Sequence, residues 1–393
     1  MKLRSQSRFQ HDTIVPLLLG LAPLDSLRVV NKQMLELANL QTTKLHVKSI
    51  KHEDESTLSD LLVQLQNLQS LTIPTAIENN VFDNICKDHL THLCYVRAGS
   101  TDDVDKFSFP SSVKSMCKLK SLVAIRCGLR SKSGSLAHLG DCVNLTELDL
   151  SGNVTMRTIV GLEHSTALRD LKLADCGLRP NIHFAPAISG CGATLTKLDL
   201  SRNRFLTELC LEQHTALVTL HASGCNLKGG TLANSLAGCR ATLTTLDLSC
   251  NNLYTLEGLS HHTALTCLDV TKCGLEDDAL IPLSNCHRLV ALVACGNNII
   301  NLEGLEELRL ETLDLIDNML QRGALFSLLG CKDTLTELRV DDNPGLCTFE
   351  GLEEHTALTS ISAMHSEIEC SAMRSLGKCI AVLEHLTTDD VNW

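Results

Sequence analysis

The chain has 393 residues, 44% of them hydrophobic and only 3% aromatic, and a formal net charge of −12. That acidity argues against nucleic acid, whose phosphates demand a basic stripe, and weakly against an anionic membrane surface. No stretch reaches the ~18 apolar residues that a spanning helix requires. Residues 1–8 are polar and basic. Two helices are predicted next, over 15–21 and 23–40, the second opened by Pro23 or Asp25. Leu27, Val30, Met34 and Leu37 recur at near-helical spacing and make one apolar face. The apolar stretch 14–24 is short, holds two prolines and follows Asp12, so it is a poor signal peptide.

From about residue 42 one pattern takes over. Its clearest copy is residues 243–265, where Leu243, Leu246, Leu248, Asn251 and Leu253 fit L-x-x-L-x-L-x-x-N-x-L. Leu246 and Leu248 alternate with Thr245, Asp247 and Ser249, as in a short strand with one buried side. Asn251 turns the chain inward, where its amide can satisfy backbone groups of the neighbouring coil. First leucines recur at Leu68, Leu90, Leu119, Leu145, Leu168, Leu195, Leu217, Leu243, Leu265, Leu289, Leu310, Leu335, Leu358 and Leu383. A degenerate coil with Leu45 and Val47 precedes them. From Leu145 short and long intervals alternate, which makes the unit a double repeat of about 48 residues. The long interval after Leu90 contains residues 101–110, which predict a surface loop.

This pattern resembles the leucine-rich-repeat family over residues 42–393. The resemblance implies an α/β solenoid of about 14–15 repeats. Strands stack at roughly 4.8 Å while helices need more room, so the stack is expected to curve into a horseshoe. A parallel sheet would line its concave face, with short helices or 3₁₀ turns on the convex face. Long coils have room for about two helical turns there, short ones for one turn or a 3₁₀ segment. Residues 1–40 are expected to form a helical N-terminal cap, and 41–393 the repeat domain.

The 19 cysteines suggest disulfides until they are placed in the repeat. Cys127, Cys176, Cys225 and Cys273 take the Asn position of other coils, while Cys142, Cys191, Cys239, Cys286, Cys331, Cys379 and Cys86 end the convex segment. These are inward-facing, reduced fillers, which points to a reducing, cytoplasmic setting. Asn153 lies in a glycosylation sequon but is also an inward ladder residue, so passage through a secretory lumen does not fit. Cys86, His89, His92 and Cys94 have the residue types of a zinc site, but their repeat positions point from different surfaces, so no metal is expected. His164, His214, His262 and His355 recur before Thr-Ala-Leu or Ser-Thr-Ala-Leu and read as turn residues spread by duplication.

Residues 14–38 also resemble a degenerate F-box, the helical module that docks substrate receptors onto a Skp-type adaptor of cullin ubiquitin ligases. Residues 24–32 with Leu37 and Ala38 match its second half, and residues 17–21 its first helix. The opening Leu-Pro is replaced by Ile14-Val15-Pro16, and Gln33 and Met34 stand where an aromatic is usual. The resemblance implies adaptor contacts through Leu27, Val30 and Leu37. A plain cap remains the other reading of this segment.

In such an architecture the outward strand residues carry function. Between the two strand leucines stand Asp149, Lys172, Asp199, His221, Asp247, Asp269, Val293, Asp314, Arg339 and Ser362, an acidic row. Beside it runs a track of small polar residues, Ser201, Ser223, Ser249 and Thr271 among them. Such a face suits a protein partner with a basic or extended segment. LDLS is also the family's commonest strand, so the row can be structural. Val123 and Ile125 add a small apolar patch. There is no phosphate loop, H-E-x-x-H or nucleophile elbow, so neither catalysis nor a cofactor is expected. The expectation is a non-enzymatic interaction scaffold, and an F-box-like substrate receptor in its sharpest form. A cytoskeletal or flagellar scaffold and a protein phosphatase regulatory subunit are the alternatives.

Overall fold

The computed structural model describes residues 43–47, 58–59, 62–63, 65–75, 89–96, 107–130, 136–179 and 184–388. The segment holding Leu27, Val30 and Leu37 lies outside them, as do Cys86 and Trp393. The chain forms two compact units, residues 1–177 with 182–191, and residues 178–181 with 192–393.

The first unit holds six strands: β1 (Lys44–His46), β2 (Ser70–Pro74), β3 (His92–Val96), β4 (Ser121–Val123), β5 (Glu147–Asp149) and β6 (Asp170–Lys172). Each pairs in parallel with the next, and the register sets Leu45, Leu71, Leu93, Leu122, Leu148 and Leu171 opposite one another. All six leucines are buried. The predicted loop before β4 is not wholly at the surface. Phe109 is buried, and it meets Tyr95 edge-on at 5.7 Å and Phe107 at 5.3 Å. In this leucine-built chain the aromatics fill an irregular interval that the repeat cannot.

The second unit repeats the scheme nine times, with β7 (Lys197–Asp199), β8 (Thr219–His221), β9 (Thr245–Asp247), β10 (Cys267–Asp269), β11 (Ala291–Val293), β12 (Thr312–Asp314), β13 (Glu337–Arg339), β14 (Ser360–Ala363) and β15 (His385–Thr388). All pair in parallel in chain order. The leucine column runs Leu198, Leu220, Leu246, Leu268, Leu292, Leu313, Leu338, Ile361 and Leu386. Leu386 alone in this column is only half-buried.

Helix is scarcer than the intervals predict. Among the described residues the long coils carry two short α-helices, α1 (Phe184–Ser189) and α2 (Gly229–Ser235), and otherwise 3₁₀ turns such as Ala324–Cys331. Among the described residues the short coils from Leu145 onward have turns alone, not 3₁₀ segments. Six or seven residues close too few i→i−4 bonds to offset helix nucleation, so the tighter turn wins.

Two polar ladders hold successive coils together. Asn251 donates through Nδ2 to Ala222 O (2.9 Å) and Leu248 O (2.7 Å), while its Oδ1 accepts from Leu227 N–H (3.0 Å). Asn153, Asn297, Asn318 and Asn343 repeat this set. In the long coils cysteine stands in for it. The thiols of Cys176, Cys225 and Cys273 donate to Leu150 O, Leu200 O and Leu248 O at 3.1–3.3 Å. A thiol reaches one carbonyl where an amide serves three backbone groups, so the Asn coils carry the stronger joint. Burial raises the Cys176 and Cys273 thiols to about 12, which keeps them protonated and inert. The ladder continues through Asn318 and Ser366 in the last two long coils, where Ser366 Oγ donates to Val340 O (2.7 Å).

The histidine register needs one correction. His214, His262 and His355 are buried, but His164 is exposed and Ser165 fills the buried position in its coil. Leu308 fills it in another. His355 Nε2 lies 3.1 Å from Leu328 O, so this ring bonds the preceding coil. Burial is the main cause that lowers the pKa of His262 and His355 below the ordinary value. The unfolded chain, with histidine near 6.5, therefore binds more protons than the folded one just below that pH. Stability is expected to be fully present above about pH 6.5 and to fall as pH drops through the lowered folded values. Urea unfolding at pH 7.5 and 5.5 checks this. His262→Leu, which copies Leu308, should shrink the difference between the two curves. An unchanged difference would acquit the buried imidazole.

Candidate functional site

The sheet has one face packed on the core and one in solvent, so the residue between the two strand leucines must point outward. In the first unit this places Asp149 half-buried on β5 and Lys172 exposed on β6. Val123 is half-buried on β4, and Ile125 follows it at the surface. His92 and Cys94 share the solvent face of β3. Among the described residues no three His, Cys, Asp or Glu side chains converge as metal ligands.

In the second unit the row runs through neighbouring registers. Asp199 on β7 stands opposite His221 on β8, His221 opposite Asp247 on β9, and Asp247 opposite Asp269 on β10. These four occupy consecutive strands, roughly 4.8 Å apart. Val293 on β11 then interrupts the row. Asp314 on β12 and Arg339 on β13 follow as a pair, with Arg339 Nη1 donating to Asp314 Oδ2 at 2.7 Å. Cys295 donates to the other oxygen of Asp314 at 2.9 Å, so that carboxylate has both oxygens engaged.

The aspartates share a local duty that the acidic-row reading overlooked. Asp149, Asp199, Asp247 and Asp269 each accept, through Oδ1, the N–H two residues ahead: Ser151, Ser201, Ser249 and Thr271, at 2.9–3.0 Å. Asp314 does the same for Ile316 at 3.2 Å. This Asx geometry ends the strand and turns the chain toward the ladder residue. It was legible in the repeated D-x-S/T spacing. Each of these aspartates is thus clamped through Oδ1, which leaves Oδ2 for a second contact; in Asp247 that oxygen faces His221.

The hydroxyl track is ordered too. Ser249 Oγ donates to Asp247 Oδ1 (2.6 Å) and lies 2.7 Å from Ser223 Oγ. His221 Nδ1 lies 3.7 Å from Asp247 Oδ2 and is half-exposed. Serine, aspartate and histidine therefore meet in the wrong order for nucleophilic catalysis. The hydroxyl donates its hydrogen bond to the carboxylate and not to the imidazole. Farther along, Asp341 is buried. Its Oδ1 accepts from Ser362 Oγ (2.6 Å) and Met364 N–H (2.7 Å).

The arrangement can bind. Its groups are a strip of carboxylates one strand apart, with hydroxyls beside them, on a face that an extended chain could cross. No helix among the described residues is long and apolar enough to cross a membrane.

Comparisons place this geometry among known folds. A family model described as Leucine Rich repeat matches residues 241–260 and 261–284. No curated protein sequence matches the chain. Among solved structures the chain is similar to an internalin of Listeria monocytogenes str. 4b F2365, with 18% identity, a TM-score of 0.61 and coverage of 91% of this chain and 89% of that one. It is similar to a leucine-rich-repeat protein of Leptospira interrogans, with 17% identity, a TM-score of 0.58 and coverage of 90% and 98%. The leucine-rich-repeat domain of APL1 matches at 18% identity, a TM-score of 0.53 and coverage of 85% and 88%. At such identities the likeness shows the fold.

Proposed function

We propose that this leucine-rich-repeat protein is a non-catalytic scaffold that holds a basic, extended polypeptide segment across the solvent face of strands β7–β10. One observation carries the reading. Asp199, Asp247 and Asp269 are each fixed by their own backbone through Oδ1, which leaves Oδ2 for a second contact. Preset carboxylates lose little freedom on binding, and Lys or Arg side chains of an extended segment can meet them at strand spacing. Asp314 and Arg339 contribute less, because they already satisfy each other.

The test uses the full chain and a labelled Lys–Ser copolymer, read by fluorescence anisotropy. The triple change Asp199→Asn, Asp247→Asn and Asp269→Asn keeps the Oδ1 acceptor and removes the charge. Affinity should fall about tenfold or more, and its salt dependence should weaken, with an unchanged melting curve. Equal affinity in a variant that melts normally would sink the proposal.

A finer reading makes the scaffold a substrate receptor of a cullin ubiquitin ligase in the cytoplasm. Its support is the F-box resemblance of residues 14–38 and the buried, reduced thiols. Affinity purification of the full chain beside one with Leu27→Asp and Val30→Asp tests it. The full chain should bring down a Skp-type adaptor that the variant loses. If neither recovers an adaptor, residues 1–40 are a cap.

A further inference from the structure

The second unit is strongly acidic, with 26 acidic against 10 basic residues over 205–393. Three of its arginines are engaged. Arg322 pairs with Glu350 and Glu369, Arg339 pairs with Asp314, and Arg240 donates to Ala233 O. Arg288, Arg309 and Arg374 are exposed too, but in separate coils. Arg179, Arg202 and Arg204 lie close to one another. All three are exposed, and among the described residues no carboxylate pairs with them.

The fold gathers them at one place. The ladder amide of Asn203 accepts from Leu178 N–H at 2.9 Å, which fixes Arg179 beside the turn that carries Arg202, Arg204 and Phe205. The Arg179 guanidinium lies 4.5 Å from the centroid of the Phe205 ring. Phe205 is nevertheless 55% exposed. The edge continues coil by coil. Asn226 and Asn252 stand one residue after their ladder positions, as Arg204 does, and Asn252 Nδ2 donates to Asn226 Oδ1 at 2.9 Å. Two residues beyond Asn252 stands Tyr254, 63% exposed. At about 5 Å per coil, Phe205 and Tyr254 are roughly 10 Å apart along the stack, about three residues of extended chain.

We propose that this edge is a second docking surface, distinct from the sheet face, for an acidic linear segment of a partner protein that carries an apolar side chain beside its carboxylates. Charge complementarity selects the acid. Three guanidinium groups without a carboxylate partner stand together on a unit whose balance is otherwise acidic, so an acidic segment favours that place. The aromatic rings supply anchors. Arginine and tyrosine are enriched where interface energy concentrates, and a ring held by a guanidinium is already positioned. The Asn226–Asn252 pair keeps acceptor and donor capacity for the backbone of a segment passing between the rings.

The experiment measures binding of a labelled Glu–Tyr copolymer to the full-length chain by fluorescence anisotropy, with inorganic polyphosphate as competitor. The copolymer should bind, more weakly as salt rises. Phe205→Ala, and separately Arg179→Glu with Arg204→Glu, should each weaken it about tenfold or more. Asp247→Asn, on the sheet face, should leave it unchanged. Because Arg179, Arg204 and Phe205 are exposed, all variants should melt like the parent. Arg204→Glu alone serves if the double variant does not. Absence of copolymer binding would overturn the proposal, as would binding undiminished in the arginine variants. Full displacement by polyphosphate with no effect of Phe205→Ala would also overturn it, since that marks a plain anion patch.

Discussion

Replacing Asn251 with alanine is expected to destabilise the chain by about 3 kcal/mol, because three buried backbone groups lose their partners at once. Those groups are Ala222 O, Leu248 O and Leu227 N–H, in two adjacent coils around a residue that is 3% exposed. No water can replace the amide, since the coils close over it. Asn252→Ala, one residue on, removes an exposed amide pair with Asn226 and should change stability by roughly 0.5 kcal/mol or less. Urea unfolding of the two variants side by side is the measurement. Equal losses would mean that the inward amide does not join the coils. Cys273→Ala, in the next coil, should fall between them, because a single thiol–carbonyl contact of 3.2 Å is lost along with some packing.

Gly258→Ala is expected to be as severe, at about 3 kcal/mol, for a steric reason. Gly258 sits at φ +104°, and a Cβ there would lie 2.5 Å from Ala233 N and 2.7 Å from its Cα. Two penalties therefore coincide: a backbone conformation closed to side chains, and a clash with the backbone of α2, which cannot move aside. Gly161, Gly304 and Gly351 repeat the geometry against the preceding long coil. They explain why the short coils close through a Gly-Leu pair. Cys210, at φ +53°, breaks the series. Gly230 is the control. It lies in α2 with nothing within 4 Å of an added Cβ, so Gly230→Ala should stabilise by about 0.5–1 kcal/mol through helix propensity. Thermal melts that rank the two variants the other way would show that close coil contact does not depend on this glycine.

Much of the architecture was legible because it is periodic. A leucine at every coil start, and two more in strand alternation, can be satisfied only by stacking, and the register of Leu246 against Leu220 and Leu268 follows directly. The inward cysteines were legible for the same reason: Cys176 and Cys225 fall where Asn falls in the neighbouring coils. Reading failed where two residue types compete for one place. His164 and Ser165 are adjacent, and the buried one is the residue three before the coil's first leucine, so distance from that leucine decides and residue type does not. Asn318 and Ser366 stand in long coils where Cys176, Cys225 and Cys273 would predict another cysteine, but the ladder needs only a donor that reaches a carbonyl.

The functional surfaces divide along the same line. The outward row of aspartates is a property of the sequence alone, since strand alternation dictates which residues face solvent. Its double role, one oxygen clamping the turn and one left for a second contact, required the turn geometry. The pairing of Asp314 with Arg339 required knowing which coils are neighbours. The edge at Phe205 was not legible at all, because Arg179 and Phe205 are 26 positions apart. Only the ladder bond from Leu178 to Asn203 brings them within 4.5 Å. Leucine spacing by itself determined a stacked parallel sheet, because burying an apolar stripe admits one solution for so thin a coil. Which polar groups remain unpaired at the surface is a sum over contacts between coils, and tertiary structure alone decided that.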